Sequence, residues 1–162
     1  KVNEYLLKAS EDIRQVSDGI SDIVWNINPR YDNIEHLFVR MKRYASDLMD
    51  AKDINYQLTF PEQVGESNLN MNKRRDLYLL FKEAVNNLAK YSKAKKATIQ
   101  LMIEKDHLKL TVSDDGVGFD TTSLSMGNGL RNMKQRATLL GGQLQIDSEP
   151  GKGTNLDFDM PI

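Results

Sequence analysis

The sequence predicts an α+β fold: a two-layer sandwich in which a mixed, mostly antiparallel sheet is covered on one face by helices, with an N-terminal helical extension. Three observations carry that expectation. The second half of the chain holds two hairpin patterns of alternating apolar residues, a shorter strand pattern precedes them, and stretches of helical periodicity separate the three. With 162 residues, 40% of them hydrophobic, the chain can bury one core. A formal net charge of −1 supplies no global basic field, so nucleic acid is not expected as a direct partner. The lack of cysteine excludes a disulfide framework and thiol chemistry. No apolar run reaches the length of a membrane span and no signal-type segment is present. The chain starts at Lys1, without an initiator Met, so the expectation is a soluble, cytoplasmic piece of a longer, membrane-anchored parent.

Val2, Leu6, Ala9, Ile13, Val16, Ile20, Ile23 and Ile27 recur at alternating steps of four and three, the heptad spacing of a helix packed lengthwise on a partner. An ordinary amphipathic helix packed within its own domain is the plainer alternative. Asn28-Pro29 ends the pattern, because proline cannot continue the ladder and disfavours helical geometry at the preceding residue. A second helix is expected to start at Asp32 or Asn33 as N-cap, with Glu35 in its first turn and Leu37, Met41, Tyr44 and Leu48 facing inward. Tyr56, Leu58 and Phe60 alternate as a short strand stopped by Pro61, and Glu62 to Asn70 reads as loop.

A third helix is expected from Asn72 to Tyr91. Ile99, Leu101 and Ile103 then alternate, the turn Glu104 to His107 follows, and Leu108, Leu110 and Val112 alternate: an antiparallel hairpin with one buried face. Asp114 continues that parity and should point toward the covered face, whereas Asp115 faces outward and is expected to be dispensable. After the polar loop Thr121 to Gly127 comes a helix, Leu130 to Leu140, closed by Gly141-Gly142. Leu144 and Ile146 open the last hairpin, which turns at Glu149 to Gly153 and finishes on Leu156, Phe158 and Met160, with Thr154 on the same inward parity.

Four local patterns carry chemistry. On the third helix Leu77, Phe81, Ala84 and Leu88 form the core stripe, which leaves Glu83, Asn86, Asn87 and Lys90 on the flank and back. A solvated face explains most such residues, but two adjacent mid-helix asparagines are poor helix formers that add no packing. An amide oxygen suits Mg²⁺, which shares its sites with substrate phosphates, and Glu83 lies one turn earlier, where a carboxylate can orient water or accept a proton. Asp114 followed by Gly116 and Gly118 places a carboxylate and exposed backbone N–H groups at a strand end. Gly127-Asn128-Gly129 precedes a helix, a ready anion site, although taken alone a plain turn is the simpler explanation. Gly153-Thr154 opens the last strand.

In that order, Glu-x-x-x-Asn-x-x-Lys-Tyr, Asp-x-Gly-x-Gly, Gly-x-Gly and Gly-Thr, the chain from about Leu77 to Ile162 resembles the ATP-binding domain of the gyrase, chaperone, histidine-kinase and MutL superfamily. Within it the chain looks most like sensor histidine kinases that pair with LuxR/NarL-type response regulators. Asp22 to Arg30, around Trp25, is similar to the segment that follows the dimerisation and phosphoacceptor helices there. Lys82 to Asn87 and Asn128 to Arg136 also read like that subfamily.

The resemblance implies two domains, 1–30 as the end of a dimerisation helix and 31–162 as the ATP-binding catalytic domain. It implies ATP and Mg²⁺ as ligands, with Asp114 accepting the adenine amino group and Gly116 and Gly118 letting the loop pass the base. Asn87 would hold Mg²⁺, Glu83 act as general base, Lys90 meet phosphate or ribose, and Tyr91 lie against the base. Gly127, Asn128, Gly129 and Leu130 would line the phosphates under a short lid, and Thr154 would join Asp114 in reading adenine. Phosphoryl transfer needs chiefly positioning and charge neutralisation, so so sparse a set is sufficient. Partners implied are the protein's own dimerisation and phosphoacceptor domain, a homodimer through the N-terminal helix, and the response regulator.

One departure matters. A histidine kinase phosphorylates its own histidine, usually followed by an acidic residue, and neither His36 nor His107 fits, so the acceptor is expected upstream of Lys1. The competing reading is a non-catalytic or serine-kinase anti-sigma-type binding module on the same fold. Intact Glu83 and Asn87, and the Trp25 to Arg30 stretch, speak against it.

Overall fold

The computed structural model describes residues 1–27, 33–65, 69–122 and 127–162, the side chains of residues 18, 21, 22 and 25–27 excepted. The expected helix stop at Asn28-Pro29, residues 28–30 of the Asp22 to Arg30 stretch with most of its side chains, and the centre of the Thr121 to Gly127 loop therefore lie outside the described residues.

The elements run α1 (Val2–Ile27), α2 (Ile34–Ala51), β1 (Asn55–Thr59), α3 (Met71–Tyr91), β2 (Lys96–Glu104), β3 (His107–Asp114), α4 (Asn128–Leu139), β4 (Gln143–Ser148) and β5 (Thr154–Pro161). Asparagine begins two of the helices. Asn33 Oδ1 accepts the Glu35 N–H at 2.9 Å and Asn70 Oδ1 accepts the Lys73 N–H at 2.9 Å, each satisfying one otherwise unpaired donor of the first turn. The second cap starts α3 one residue before the expected Asn72.

The inward face of α2 is rotated from the expected one. Ile34, Leu37, Phe38, Met41, Ala45 and Met49 are buried, whereas Tyr44 and Leu48 are only partly so. Tyr44 instead lies edge-on to Tyr78, ring centroids 6.5 Å apart, with the Lys82 ammonium 5.2 Å and 5.7 Å from the two centroids. An aromatic pair of this kind lets a phenol stay at the margin of the core with its face toward a cation.

The five strands form one sheet in the order β1-β2-β3-β5-β4. Crossover through α3 makes β1 parallel to β2, and every other pair is antiparallel. This is the expected mixed, mostly antiparallel sheet. The central hairpin turns at Lys105, whose φ is 55°, so His107 opens β3 and does not sit in the turn as expected. His107 Nδ1 lies 2.5 Å from Asp159 Oδ1 on β5.

Register turns the strand alternation into rows across the sheet. Leu101, Leu110, Phe158 and Leu144 stand side by side, and two residues along, Ile99, Val112, Leu156 and Ile146 form the next row. Helices cover this face: Phe81, Leu77, Leu80 and Leu88 of α3 and Met133 and Ala137 of α4 are buried with it. Each fully buried Leu, Ile or Phe contributes roughly 1.5–3 kcal/mol, so these rows hold the layers together. One further step in the same parity, the row becomes Ala97, Asp114, Thr154 and Ser148. A polar row on a covered face is where the core stops and a site begins.

The extension α1 behaves differently. Its stripe is exposed, with Val2 at 72%, Ile13 at 70% and Ile23 at 57%, and among its described side chains only that of Arg14 is half-buried.

Candidate active site

Asp114 stands in the polar row because strand parity puts it there, one step past Val112. Its Oδ1 accepts the Gly116 N–H at 2.8 Å. Burial raises its pKa, the backbone N–H groups of Gly116 and Thr154 counter that in part, and the neighbouring Asp115 charge adds to the rise. A half-dehydrated carboxylate with lone pairs to spare is well suited to accept an amine N–H from a base.

Asp115 faces outward as parity requires, yet it is not idle. Its Oδ1 accepts the N–H groups of both Lys95 and Lys96 at 2.9 Å, and these two bonds hold its carboxyl below the usual carboxylate range. The expectation that Asp115 is dispensable is therefore corrected: it fastens the start of β2 to the end of β3.

Beyond the two acids the chain threads between fixed carbonyls. Val117 N–H donates to Ser92 C=O at 2.7 Å, and Gly151 N–H donates to Val117 C=O at 2.6 Å. A Cβ at Gly116 would collide with the Ser92 carbonyl oxygen; at Gly118, where φ is +62°, it would collide with that of Glu149. Ser148, at the far end of the polar row, accepts the Phe119 N–H at 2.9 Å, donates to the Gly153 C=O at 2.9 Å and lies 2.8 Å from Thr154 Oγ1. A hydroxyl has one proton. With that proton on Gly153, Thr154 must donate to Ser148, leaving the Thr154 oxygen as an acceptor.

The opposite end of the site is built by α3 and α4. α4 begins at Asn128, two residues before the expected Leu130, and its N-cap, Gly127, makes no side-chain cap bond; the Leu130 N–H donates to the Gly127 carbonyl at 3.2 Å, and the N–H groups ahead of it are placed to meet an anion. A Cβ on Gly129 would collide with Glu83 Oε1 and come within 3.6 Å of Asn87 Nδ2. The carboxylate and the amide, one turn apart on α3, thus lie against that terminus. A guanidinium nitrogen of Arg14, on α1, lies 3.3 Å from Glu83 Oε2.

Both ends open into one cavity of about 1170 Å³. Glu83, Asn87, Lys90, Tyr91, Asp114, Gly118, Gly127, Asn128, Gly129, Leu130 and Thr154 all line it. Of the expected site residues only Gly116 is absent from the lining; packing on Ser92 accounts for that glycine instead. Asn87 faces the cavity and its neighbour Asn86 does not, which separates the two asparagines. Among the described residues, no three His, Cys, Asp or Glu side chains cluster so as to hold a metal ion. A divalent cation here would draw most of its oxygens from a bound phosphate chain.

A cavity with a half-buried carboxylate at one end and a helix N-terminus at the other is suited to a nucleotide. The chain belongs to the family described as histidine kinase-, DNA gyrase B-, and HSP90-like ATPases, whose model matches residues 72–162. The curated relatives it matches include sensor histidine kinases. It is 29% identical to LiaS of Bacillus subtilis (strain 168) over 75% of this chain and 34% of LiaS. It is 33% identical to the histidine-protein kinase/phosphatase DegS of Brevibacillus brevis over 75% of this chain and 29% of DegS. The chain thus spans about a third or less of the curated relatives it matches. Among solved structures, the histidine kinase AdeS of Acinetobacter baumannii superposes over 98% of this chain and 82% of its own, with TM-score 0.67 at 18% identity. The histidine kinase domain of the Erythrobacter litoralis EL346 blue-light activated kinase does so over 77% and 60%, with TM-score 0.65 at 20% identity. These two matches concern the fold.

Sequence reasoning passed over Ser148 and Arg14. Ser148 was within reach, since it continues the inward parity of Leu144 and Ile146. Arg14 lies off the heptad stripe, and no local pattern distinguishes it from other solvated charges of α1.

Proposed function

We propose that residues 31–162 form the catalytic domain of a two-component sensor histidine kinase, which binds Mg-ATP and passes its γ-phosphoryl to a histidine outside this chain for relay to a LuxR/NarL-type response regulator. The observation that carries this reading is the polar row ending in Asp114 and Thr154, joined by one cavity to Glu83, Asn87 and the uncapped N-terminus of α4.

Asp114 accepts the adenine amino group while the Thr154 oxygen, turned outward by Ser148, supplies a second acceptor. Tyr91, 66% exposed at the cavity edge, covers the base, and Lys90 meets ribose or phosphate. Gly127, Asn128 and Gly129 offer backbone N–H groups to the phosphates, and Leu130, whose own N–H donates to the Gly127 carbonyl, lines them. Asn87 would supply the protein's oxygen to Mg²⁺, which would neutralise phosphate charge. An imidazole nitrogen attacks the γ-phosphorus, the bond to the β–γ bridging oxygen breaks and ADP leaves, with Glu83 accepting the proton released by the ring.

Neither histidine of the chain suits the acceptor role. His107 is at the other end of β3 from Asp114, about 23 Å away at 3.3 Å per residue, and is engaged by Asp159. His36 is exposed on α2, outside the cavity lining. We read residues 1–30 as the end of the dimerisation helix, its exposed stripe being the face that pairs in a homodimer of the parent. Among the described residues no helix is long and apolar enough to cross a membrane; we place the domain in the cytoplasm, on a membrane-anchored parent.

The test is phosphotransfer from γ-labelled ATP to the parent's dimerisation domain added in trans. An acid-labile, base-stable phosphohistidine is expected, lost in Asn87→Ala and Glu83→Ala. ATP binding with no transfer in any such mixture would leave only the binding-module reading.

A further inference from the structure

Three observations converge on Arg14. It is the only half-buried side chain among those described on an otherwise exposed helix. It lines the nucleotide cavity together with Leu7, Ser10, Glu11 and Gln15 of the same helix, and is the one cation among them. Its guanidinium touches Glu83, the carboxylate wedged against the first turn of α4 where phosphates are expected. The N-terminal helix therefore meets the catalytic domain through a cation placed at the anion end of the site.

We infer that Arg14 is a phosphate-binding residue supplied by the N-terminal helix, held on Glu83 until a nucleoside triphosphate arrives. The inference rests on the proposed nucleotide site. Its physical basis is competition for one guanidinium. The contact with Glu83 is a single interaction at 3.3 Å, long for a charge-assisted bond and made by one nitrogen only. A terminal phosphate brings more charge and three acceptor oxygens, which match the planar fork of Arg bidentately. Transfer of Arg14 to that phosphate also releases Glu83 from its counter-ion, so the carboxylate becomes available as a base when the substrate is in place. Position of α1 thereby enters triphosphate affinity directly, without any change inside the catalytic domain.

Calorimetric titration of this chain with Mg-ATP, Mg-ADP and adenosine tests the idea in wild type, Arg14→Ala and Arg14→Lys. Loss of one charge-assisted contact predicts Mg-ATP binding about tenfold weaker in Arg14→Ala, a smaller loss for Mg-ADP and none for adenosine. Arg14→Lys should recover part of the loss, since it keeps the charge but not the fork. Because α1 is exposed, both variants should melt as wild type does. Equal Mg-ATP affinity in wild type and Arg14→Ala would overturn the inference, and so would a loss shared equally by adenosine. Failure of the wild type to bind any of the three would instead sink the nucleotide site itself.

Discussion

Asp114 and Asp115 are adjacent, chemically identical and opposite in effect. Asp114 is raised by burial, so its ionised form is disfavoured in the folded protein: its contribution to stability falls as pH rises from the unfolded value, about 3.9, through the raised one. Asp115 is lowered by two backbone N–H groups, so it adds stability above the unfolded value that is lost as pH falls through the depressed one. Two thermal melts separate them. At neutral pH Asp114→Asn should melt no lower than wild type, because the amide keeps an acceptor for Gly116 and removes a desolvated charge. Asp115→Ala should melt lower, with the gap narrowing as pH falls below the unfolded carboxylate value and the wild-type carboxyl protonates. A lower melting point for Asp114→Asn at neutral pH would show that the charge supports the fold and is not held there for a ligand. Parity alone told the two acids apart in direction. It said nothing of the Lys95 and Lys96 amides, because that contact joins segments twenty residues apart and follows from sheet closure.

At the level of elements, α3 and α4 meet through Gly129, and the small size of that residue has a function separable from its place in the helix. Gly129 is the second residue of α4 and an added methyl group there meets the far end of a flexible carboxylate side chain, so Gly129→Ala should leave stability close to that of wild type. Its methyl group would nonetheless displace the Glu83 carboxylate. Urea denaturation and phosphotransfer measured on the same variant should therefore diverge, with stability kept, adenosine binding kept and transfer rate reduced. Transfer at the wild-type rate would remove Glu83 from the mechanism. The Gly-x-Gly motif was visible in the sequence as an anion site. Its contact with Glu83 was not, since helical spacing places residues on a face without saying which neighbouring helix arrives there. The same limit explains α2: its period was legible, but that Ala45 and Met49 are buried while Tyr44 and Leu48 stay at the core margin, Tyr44 edge-on to Tyr78, depends on the neighbours it meets.

For the whole molecule, alternating strands and four helical stretches, the first of them the extension, sufficed to foresee a mixed sheet under helices. They did not order it. That β1 is parallel to β2, and that β5 lies between β3 and β4, depends on crossover connections whose path no local pattern encodes. Yet this order is what assembles the site, because it sets Ala97, Asp114, Thr154 and Ser148 shoulder to shoulder at the sheet end that α3 and α4 leave open. The most direct test of the account is calorimetric titration of the chain with Mg-ATP and Mg-GTP, in wild type and Asp114→Asn. The account predicts that wild type binds Mg-ATP and discriminates strongly against Mg-GTP, whose six-position oxygen cannot donate to Asp114, and that Asp114→Asn loses both the affinity and the preference. Mg-ATP binding left intact by Asp114→Asn would contradict it.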